Sequence, residues 1–214
     1  MRVPNHIAII PDGNRRYAKA NGMNKHEGYE HGLNPGYELL KIAQKYGVNE
    51  VTYYGFTTDN CKRPNVEVKA FTKACIDAIK LIEQEDVSLL VVGNTNSAMF
   101  PPELLSYTKE RKIFGKGTTK VNFLVNYGWE WDMSNMNTSS CNRNKIMDNL
   151  KSKEISRIEL IIRWGGRKRL SGLLPVQSVY ADIYTIDEMW PEFNESQFDR
   201  AMKWYNTQDV TLGG

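Results

Sequence analysis

The stretch His6-Ile-Ala-Ile-Ile10, which runs directly into Pro11-Asp-Gly-Asn-Arg-Arg16, decides how the chain begins to fold. A short apolar run that ends at Pro, Asp and Gly predicts a buried β-strand closed by a turn. The following residues, 16–21, predict the first turns of a helix. The chain is therefore expected to start with a strand that passes through a tight turn into a helix.

The turn after this strand has the side chains of a phosphate site. A helix N-terminus presents free backbone N–H groups and the positive end of its dipole, and Gly13 lets a ligand come close to the backbone. Arg15 and Arg16 add charged, bidentate donors for phosphate oxygens. Asp12 would repel an anion but can bind a metal ion that an anion carries. The segment predicts a magnesium-bound phosphate ester, with an ordinary Asp-Gly turn as the alternative.

Composition limits the classes of protein. A length of 214 residues suits one domain, predicted over residues 1–214, and 41% hydrophobic with 25% charged residues is typical of a globular protein. The net charge of +3 is too small to favour nucleic acid as a partner. The three cysteines lack paired or metal-binding spacing, and neither a signal peptide nor a membrane-spanning stretch is apparent. We expect a cytoplasmic protein that can still contact a membrane surface.

Strand and helix patterns alternate along the chain. Helices are predicted over residues 39–47, 66–85, 104–111 and 198–205, and strands over 50–56, 88–92, 120–126, 159–162 and 180–186. This order predicts an α/β fold with a central, mainly parallel sheet flanked by helices. The polar stretch 132–153 is expected to be a loop or a frayed helix. Ligands of such sheets bind beyond the carboxyl ends of the strands, where Asp12, Thr57 and Arg163 are expected.

A second polar cluster, Phe56-Thr-Thr-Asp-Asn-Cys-Lys-Arg-Pro64, follows the strand predicted over 50–56. It has two interpretations. It can be a loop that caps the next helix, since Thr and Asn are good capping residues. It can equally be a substrate loop with Asn60 and Arg63 turned inward.

The third cluster, Arg163-Trp-Gly-Gly-Arg-Lys-Arg-Leu-Ser171, places four basic residues within seven positions around a Gly-Gly pair. A solvated basic turn is the simple interpretation. The glycines, however, would let backbone and arginines converge on one anion, and Ser171 adds a hydroxyl donor. Two anion sites and one carboxylate predict a reaction between two phosphorylated substrates.

Taken together, these segments resemble the cis-prenyltransferase family, the undecaprenyl and dehydrodolichyl diphosphate synthases. The resemblance runs nearly end to end. It is carried by His6-Ile-Ala-Ile-Ile-Pro-Asp-Gly-Asn-Arg-Arg-Tyr-Ala-Lys19, Thr52-Tyr-Tyr-Gly-Phe-Thr-Thr-Asp-Asn-Cys-Lys-Arg-Pro64, Asn126-Tyr-Gly128, Ile162-Arg-Trp-Gly-Gly-Arg-Lys-Arg-Leu-Ser171, Tyr180-Ala-Asp182, Trp190-Pro-Glu-Phe193 and Gly213-Gly214.

The resemblance implies a fold with a hydrophobic tunnel, a Mg²⁺ cofactor and a homodimer. Family members condense an allylic prenyl diphosphate with isopentenyl diphosphate and form a new double bond of Z geometry. The helix predicted over 66–85, with Phe71, Cys75 and Ile79 on one face, is the expected wall of the tunnel. An apolar, dry pocket suits an allylic cation.

The resemblance also implies site residues. Asp12 matches the catalytic, metal-binding aspartate, Asn60 the asparagine assigned to proton removal, and Asp182 stands where the family has a metal-binding glutamate. The segment 13–16 matches the allylic diphosphate site, with Tyr17 beside it, and Arg163, Arg169 and Ser171 match the isopentenyl diphosphate site. The predicted substrate-binding residues are Gly13, Asn14, Arg15, Arg16, Tyr17, Lys25, Tyr29, Thr57, Thr58, Arg63, Arg163, Arg169 and Ser171.

Several positions depart from the family pattern. Lys25 replaces an arginine, Tyr29 a histidine, Cys61 a tryptophan and Arg167 an acidic residue, and Thr211 stands at the arginine of a terminal Arg-X-Gly triplet. We therefore expect a short product or an unusual acceptor such as an alcohol.

Two other functions are possible for such a chain: a non-catalytic or regulatory subunit of a heteromeric cis-prenyltransferase, and a plain isoprenoid-binding protein. Retention of the proposed reactive set favours the enzyme. That set is Asp12, Asn60, Arg63, Arg163, Arg169 and Ser171.

Overall fold

A computed structural model describes residues 2–137, 139 and 142–209. These residues form a seven-stranded sheet. Its strands are β1 (His6–Ile10), β2 (Glu50–Tyr54), β3 (Val87–Val92), β4 (Lys112–Phe114), β5 (Thr119–Leu124), β6 (Leu160–Arg163) and β7 (Asp182–Thr185). The order in the sheet is β4-β3-β5-β2-β1-β6-β7. Only the pair β3–β4 is antiparallel within this sheet, which confirms the predicted parallel α/β fold.

Helices cover both faces of the sheet. They are α1 (Asn14–Ala20), α2 (Gly28–His31), α3 (Leu33–Tyr46), α4 (Asn65–Ile82), α5 (Trp129–Met133), α6 (Arg143–Asp148) and α7 (Glu195–Tyr205). Short 3-10 helices occupy Thr58–Lys62, Pro102–Tyr107 and Trp190–Glu192. α3 ends where the sequence predicts, because Gly47 adopts φ 82°, the left-handed conformation that terminates a helix.

Three local expectations differ from the structure. The helix predicted over 104–111 is a 3-10 helix, and the chain then enters the unpredicted strand β4. β4 has only three residues, and its Ile113 is 72% exposed, so no apolar alternation marks it. The stretch 132–153 contains the ordered helix α6, which Asn142 caps by accepting from two backbone N–H groups.

The sheet is buried on both sides. Alternate residues of β1 enter two different clusters: Ile7 and Ile9 pack with α3, α4 and α7, whereas Ala8 and Ile10 pack with the segment around Leu173. All five residues of β1 are buried, as are all five of β2. The central strands therefore form a rigid support for the loops at their carboxyl ends.

A buried polar network joins the strands near their amino ends. His6 Nε2 lies 2.8 Å from the hydroxyl of Thr52, and Asn122 donates to the same hydroxyl at 2.9 Å and to Glu50 at 2.7 Å. Burial lowers the pKa of His6, against an opposing attraction from Glu50. Because these residues lie on β1, β2 and β5, the network fixes the register of three strands.

In the described part of the chain, no helix combines the length and hydropathy needed to cross a bilayer. The terminal residues 211–214 and Cys141, which entered the sequence comparison above, lie outside the described residues.

Candidate active site

A cleft of about 440 Å³ lies beyond the carboxyl ends of β1, β2 and β6. The three polar clusters of the sequence meet there. Among the predicted residues, those that line it are Asp12, Gly13, Asn14, Arg15, Arg16, Thr57, Asn60, Arg63, Arg163, Arg169 and Ser171. The register explains the convergence, because Ile10 lies level with Arg163, and Arg163 lies level with Thr185.

Asp12 and Arg163 form the central ion pair of the cleft. Arg163 Nη2 donates to Asp12 Oδ2 at 2.8 Å, and Arg16 Nη2 lies 3.4 Å from Asp12 Oδ1. The Arg163 side chain is 4% exposed, whereas that of Asp12 is 31% exposed. Arg163 Nη1 also donates to the hydroxyl of Ser171 at 2.8 Å and to the carbonyl of Arg169. Arg163 is thus fixed from several directions beneath a half-exposed carboxylate.

The backbone around Asp12 is closed by the segment after β7. Trp190 N donates to the Asp12 carbonyl at 2.9 Å, and Gly165 N donates to the Glu188 carbonyl at 2.8 Å. Gly165 adopts φ 82°, and a Cβ there would lie 2.4 Å from Arg16 Nη2. Arg16 in turn donates to the Gly165 carbonyl at 2.8 Å. Glycine is favoured at this position because its φ lies in the left-handed region and a Cβ would also lie 3.1 Å from the Asp12 carbonyl oxygen.

Asn60 is held by its own loop. Its Oδ1 accepts from the backbone N–H of Thr57 at 3.1 Å, and the Thr57 hydroxyl accepts from Asn60 N at 3.3 Å. This reciprocal pair caps the 3-10 helix Thr58–Lys62. The cluster thus caps a 3-10 helix of its own and not the next helix α4, which has no side-chain cap, and Thr57 and Asn60 also line the cleft. The NH₂ group of Asn60 is the part left to contact a ligand.

Arg63 is oriented by an aromatic residue of the opposite wall. Its Nη1 donates to the Tyr29 hydroxyl oxygen at 2.9 Å. The Tyr29 ring stacks on Phe71, with ring centroids 4.5 Å apart and planes 1° from parallel. Burial raises the pKa of Tyr29, which keeps its hydroxyl neutral. On the same wall, Arg15 pairs with Glu67 at 3.1 Å.

An apolar cavity of about 60 Å³ opens from the cleft and runs between α3 and α4. The two spaces share Pro11, Asn14, Gly55 and Phe71. From α4 it is lined by Phe71, Ala74, Cys75, Ala78 and Ile82, and across from them by Leu33, Gly36, Tyr37, Tyr53 and Phe123. Its position matches the expected hydrophobic tunnel.

One residue that was predicted to line this cavity, Ile79, lies elsewhere. Ile79 does not line the cavity; it is 1% exposed and packs in the core against the sheet. On a helix of 3.6 residues per turn, the face that carries Phe71, Ala78 and Ile82 leaves Ile79 on the neighbouring side. Phe71 and Cys75 lie on the cavity wall as expected.

Five predicted residues do not line the cleft, and one of them, Tyr29, lines the adjoining apolar cavity instead. The Tyr17 ring lies 5.6 Å from the ring of His31, and Lys25 is exposed in the turn before α2. Thr58 lines an adjoining chamber of about 340 Å³ instead. Asp182 is the first residue of β7 and lies level with Leu160, at the amino end of the strands.

The position of Asp182 separates it from Asp12. Asp182 lies three residue steps, about 10 Å of strand, from Thr185, which is level with Arg163. Asp182 therefore lies at the opposite end of the strands from Asp12, and its assignment to a metal ion stays a prediction. Among the described residues, no group of three or more His, Cys, Asp or Glu side chains is placed to hold a metal ion.

A Mg²⁺ ion fits the remaining donor set when it arrives with a substrate. Mg²⁺ is commonly bound by one or two carboxylates together with phosphate oxygens and water, because it dehydrates reluctantly. Asp12 supplies one partly exposed carboxylate in a cleft that also contains Arg15, Arg16 and Arg169. The residues present thus suit a metal ion shared with a phosphate ester.

Several residues of the cleft were not predicted from the sequence, among them Tyr54, Asp59 and Arg167. Tyr54, at the end of β2, donates its hydroxyl to the Ser171 carbonyl at 2.8 Å, and burial raises its pKa, so it remains a neutral donor. Arg167 also lines the cleft. Its place in the basic run after β6 was the available signal, whereas nothing in the sequence of β2 distinguishes Tyr54 from an ordinary strand residue.

The fold and the cleft define a class of protein, an α/β transferase for phosphate esters that carry an apolar group. A family model described as "Putative undecaprenyl diphosphate synthase" matches residues 10–213. The chain therefore belongs to the undecaprenyl diphosphate synthase family and is a prenyltransferase. The family uses allylic diphosphate and isopentenyl diphosphate substrates.

Individual relatives agree with this assignment. The ditrans,polycis-undecaprenyl-diphosphate synthase ((2E,6E)-farnesyl-diphosphate specific) of Aliivibrio fischeri is 27% identical, over 99% of this chain and 89% of its own length. The synthase of the same name from Pasteurella multocida is 28% identical, over 99% and 95%. Lavandulyl diphosphate synthase from Lavandula x intermedia, crystallised with dimethylallyl diphosphate, has a TM-score of 0.86 at 21% identity, over 99% of this chain and 98% of that one. This last likeness concerns the fold.

Proposed function

We propose that this chain is a Mg²⁺-dependent cis-prenyltransferase that transfers a short allylic group from its diphosphate to isopentenyl diphosphate in one or very few condensations. The observation that carries this proposal is the direct connection between an arginine-rich cleft of about 440 Å³ and an apolar cavity of only about 60 Å³. The cleft suits two diphosphates, and the cavity suits a short prenyl chain.

The charge of the cleft supports two anionic substrates. Six arginines line it, against the two carboxylates Asp12 and Asp59. Arg15 and Arg16, beside Gly13, are the proposed contacts of the allylic diphosphate. Arg163 and Arg169 are the proposed contacts of the acceptor diphosphate, and Ser171 of the same sequence cluster is the third. Planar guanidinium groups suit such anions because they bind phosphate oxygens in bidentate fashion.

The reaction proposed for this site begins with loss of diphosphate from the allylic donor. Arginines fixed before the substrate arrives stabilise the charge that develops on the leaving group without reorganisation. A bound Mg²⁺ would supply further charge neutralisation on the same oxygens. The apolar cavity excludes water from the allylic carbons, which limits hydrolysis of the donor.

For Asn60 the geometry favours a donor role over the expected proton removal. Its Oδ1 already accepts from Thr57 N, and an amide oxygen engaged in this way is a weak proton acceptor. Its NH₂ group can instead donate to a substrate oxygen. We propose that Asn60 positions a diphosphate, and that the released proton passes to the diphosphate itself or to water.

The short product is supported by the far end of the cavity. Tyr37 and Ile82 line it, and the Tyr37 hydroxyl is hydrogen-bonded to Glu85. Tyr53, on the floor, donates to the Gly36 carbonyl at 2.8 Å and stacks on Phe123. A long chain would have to displace these ordered rings, at the cost of their packing. Lavandulyl diphosphate synthase, which has a similar fold, was crystallised in complex with dimethylallyl diphosphate, a diphosphate with a short prenyl group.

A second candidate acceptor, an alcohol, is favoured by the adjoining chamber of about 340 Å³. It opens beside Arg169 and Ser171 and is lined by Trp129 and Glu130. The Trp129 side chain is 45% exposed there. An apolar ring next to a carboxylate gives room and a hydrogen-bond acceptor for a hydroxylated molecule larger than isopentenyl diphosphate.

The experiment is a product assay. Purified protein with Mg²⁺ receives dimethylallyl, geranyl or farnesyl diphosphate, with and without isopentenyl diphosphate, and products are sized by mass spectrometry. We expect Mg²⁺-dependent products one or two isoprene units longer than the donor. A ladder that reaches the carrier-lipid length contradicts the short product. No turnover with any donor favours the non-catalytic subunit.

A further inference from the structure

The carboxylate proposed to bind the metal ion is already engaged by an arginine. Arg163 Nη2 donates to Asp12 Oδ2 at 2.8 Å, and Arg16 Nη2 approaches the other oxygen to 3.4 Å. A metal ion needs one of these two oxygens. Arg163 must therefore give up its contact, or share it, before Asp12 can bind a cation with full strength.

Arg163 cannot easily lose this partner. Its side chain is only 4% exposed, so water does not replace a lost carboxylate. Nη1 is held by the Ser171 hydroxyl at 2.8 Å and by the Arg169 carbonyl, which prevents the guanidinium from swinging outward. Its Nε has no hydrogen-bond partner within the described residues. Removal of one member of a buried ion pair is strongly unfavourable because the other charge is left uncompensated.

An oxyanion can take over the role of Asp12 toward this arginine. Arg163, Arg169 and Ser171 all line the cleft, so an anion bound among them meets the Arg163 guanidinium directly. Such an anion supplies the counter-charge that Arg163 requires. Asp12 Oδ2 then becomes free for a metal ion.

We infer that Arg163 acts as a positioning residue that masks Asp12, so that the metal ion binds at Asp12 only when a phosphate-class anion occupies Arg163. This rests on the proposed function, which assigns Asp12 to the metal ion and Arg163 to an anion. Binding of the anion and binding of the metal ion are then positively linked, and each tightens the other by the same factor.

This linkage orders the reaction. The anion proposed at Arg163 is the diphosphate of the acceptor, and the metal ion assists departure of the donor's diphosphate. While Arg163 contacts Asp12, the metal ion does not bind there with full strength. The donor is therefore fully activated only when the acceptor is present. Because an activated allylic donor without an acceptor would react with water, the ion pair protects the donor from hydrolysis.

The test measures metal binding without any prenyl substrate. Mn²⁺ replaces Mg²⁺ and is titrated by electron paramagnetic resonance, with sodium sulfate as the anion and sodium chloride at matched ionic strength as its control. We expect sulfate to tighten Mn²⁺ binding to the wild-type protein about five- to tenfold, within the usual range of linked binding. Asp12→Asn should abolish this Mn²⁺ binding.

A matched pair of variants separates masking from overall charge. Arg163→Gln and Arg169→Gln each remove one positive charge from the cleft, but only Arg163 contacts Asp12. Arg163→Gln should bind Mn²⁺ about tenfold more tightly than wild type in the absence of sulfate and lose the sulfate effect. Arg169→Gln should change Mn²⁺ affinity less than about threefold, because a charge that does not contact Asp12 acts on the metal ion only through screened, long-range electrostatics.

Each outcome decides the inference. Equal gains in both variants would show a general field effect and overturn it, as would Mn²⁺ binding that persists in Asp12→Asn. If Arg163→Gln fails to fold by circular dichroism, the wild-type sulfate titration decides alone, and an unchanged Mn²⁺ affinity overturns masking. The product assay above is independent of this readout, so failure of masking and failure of the proposed function are told apart.

Discussion

Tyr29 and Arg63 face each other across the mouth of the apolar cavity and share a hydrogen bond of 2.9 Å, in which Arg63 donates to the Tyr29 hydroxyl oxygen. Tyr29 is held in turn by its stack on Phe71. The arginine therefore depends on an aromatic ring of the cavity wall for its orientation. This contact connects the place where a diphosphate would bind with the place where a prenyl chain would lie.

Tyr29→Phe is expected to weaken substrate binding through Arg63 while it preserves the ring stack. Loss of a hydrogen bond to a charged group costs about 1.5 kcal/mol, roughly tenfold in kcat/KM. The effect should appear mainly in KM for one diphosphate. Steady-state kinetics with each substrate varied in turn measures it, and thermal unfolding checks that the ring stack still supports the fold. A kcat/KM equal to that of wild type would mean that Arg63 orients itself without Tyr29.

Asp12→Asn is expected to lower kcat by about 10²–10³-fold, the usual effect of removing one electrostatic group from a reacting centre. The amide keeps the shape of Asp12 and can still accept from Arg163, so the fold should survive. Asp12→Ala should in addition lower the melting temperature, since it leaves Arg163 without its partner. Turnover near wild type in a folded Asp12→Asn protein at saturating Mg²⁺ would refute the assigned role.

Tyr37→Ala is expected to lengthen the product, because it removes a ring that lines the apolar cavity and so enlarges the space for the prenyl chain. The matched control is Tyr46→Ala. Tyr46 belongs to the same helix α3 and is also partly buried, but its ring contacts Phe198 and its hydroxyl contacts Asp199, away from the cavity. Product sizing by mass spectrometry should show added isoprene units for Tyr37→Ala alone. Identical product lengths in the two variants would place the length limit elsewhere.

The stability of the fold is expected to fall as the pH drops from 7.5 to 5.5. Burial lowers the pKa of His6 in the folded protein, while the unfolded chain keeps a value near 6.5. Below that value the unfolded state binds a proton that the native state does not, so stability decreases with a limiting slope of about 1.4 kcal/mol per pH unit.

Urea unfolding at several pH values measures this slope, with His6→Gln as the comparison. The variant should be less stable at pH 7.5, since it loses contacts to Thr52 and Ser156. Between pH 7.5 and 5.5 its stability should depend less on pH than that of wild type. Parallel pH profiles for the two proteins would show that another group titrates.

The sequence predicts the parts of the site that depend on local chain geometry. The strand β1, the turn at Asp12 and the glycines after Arg163 are adjacent in the chain, and each constrains the backbone of its neighbours. The helix end at Gly47 follows from the same kind of local rule. The resemblance to a known family then places these segments at one edge of the sheet, where the structure also has them.

Contacts between distant segments are what the sequence leaves open. The position of Asp182 relative to Asp12 depends on which residue of β7 pairs with Leu160, and no local pattern sets that register. The pairing of Arg63 with Tyr29 joins residues 34 positions apart, and that of Arg163 with Asp12 joins residues 151 positions apart. Such pairs depend on the packing of whole elements.

The hydrogen bond from Trp190 N to the Asp12 carbonyl has a consequence for the protein as it is being made. The turn at Asp12 is synthesised 151 residues before Arg163 of β6, one of the two strands beside β1, and earlier still relative to the segment that closes the turn. A nascent or truncated chain that ends before residue 190 therefore lacks the hydrogen bond from Trp190 N that closes the turn at Asp12. The turn proposed to bind the metal ion is closed only after residue 190 has been made, so chains truncated before this residue should be inert toward prenyl diphosphates.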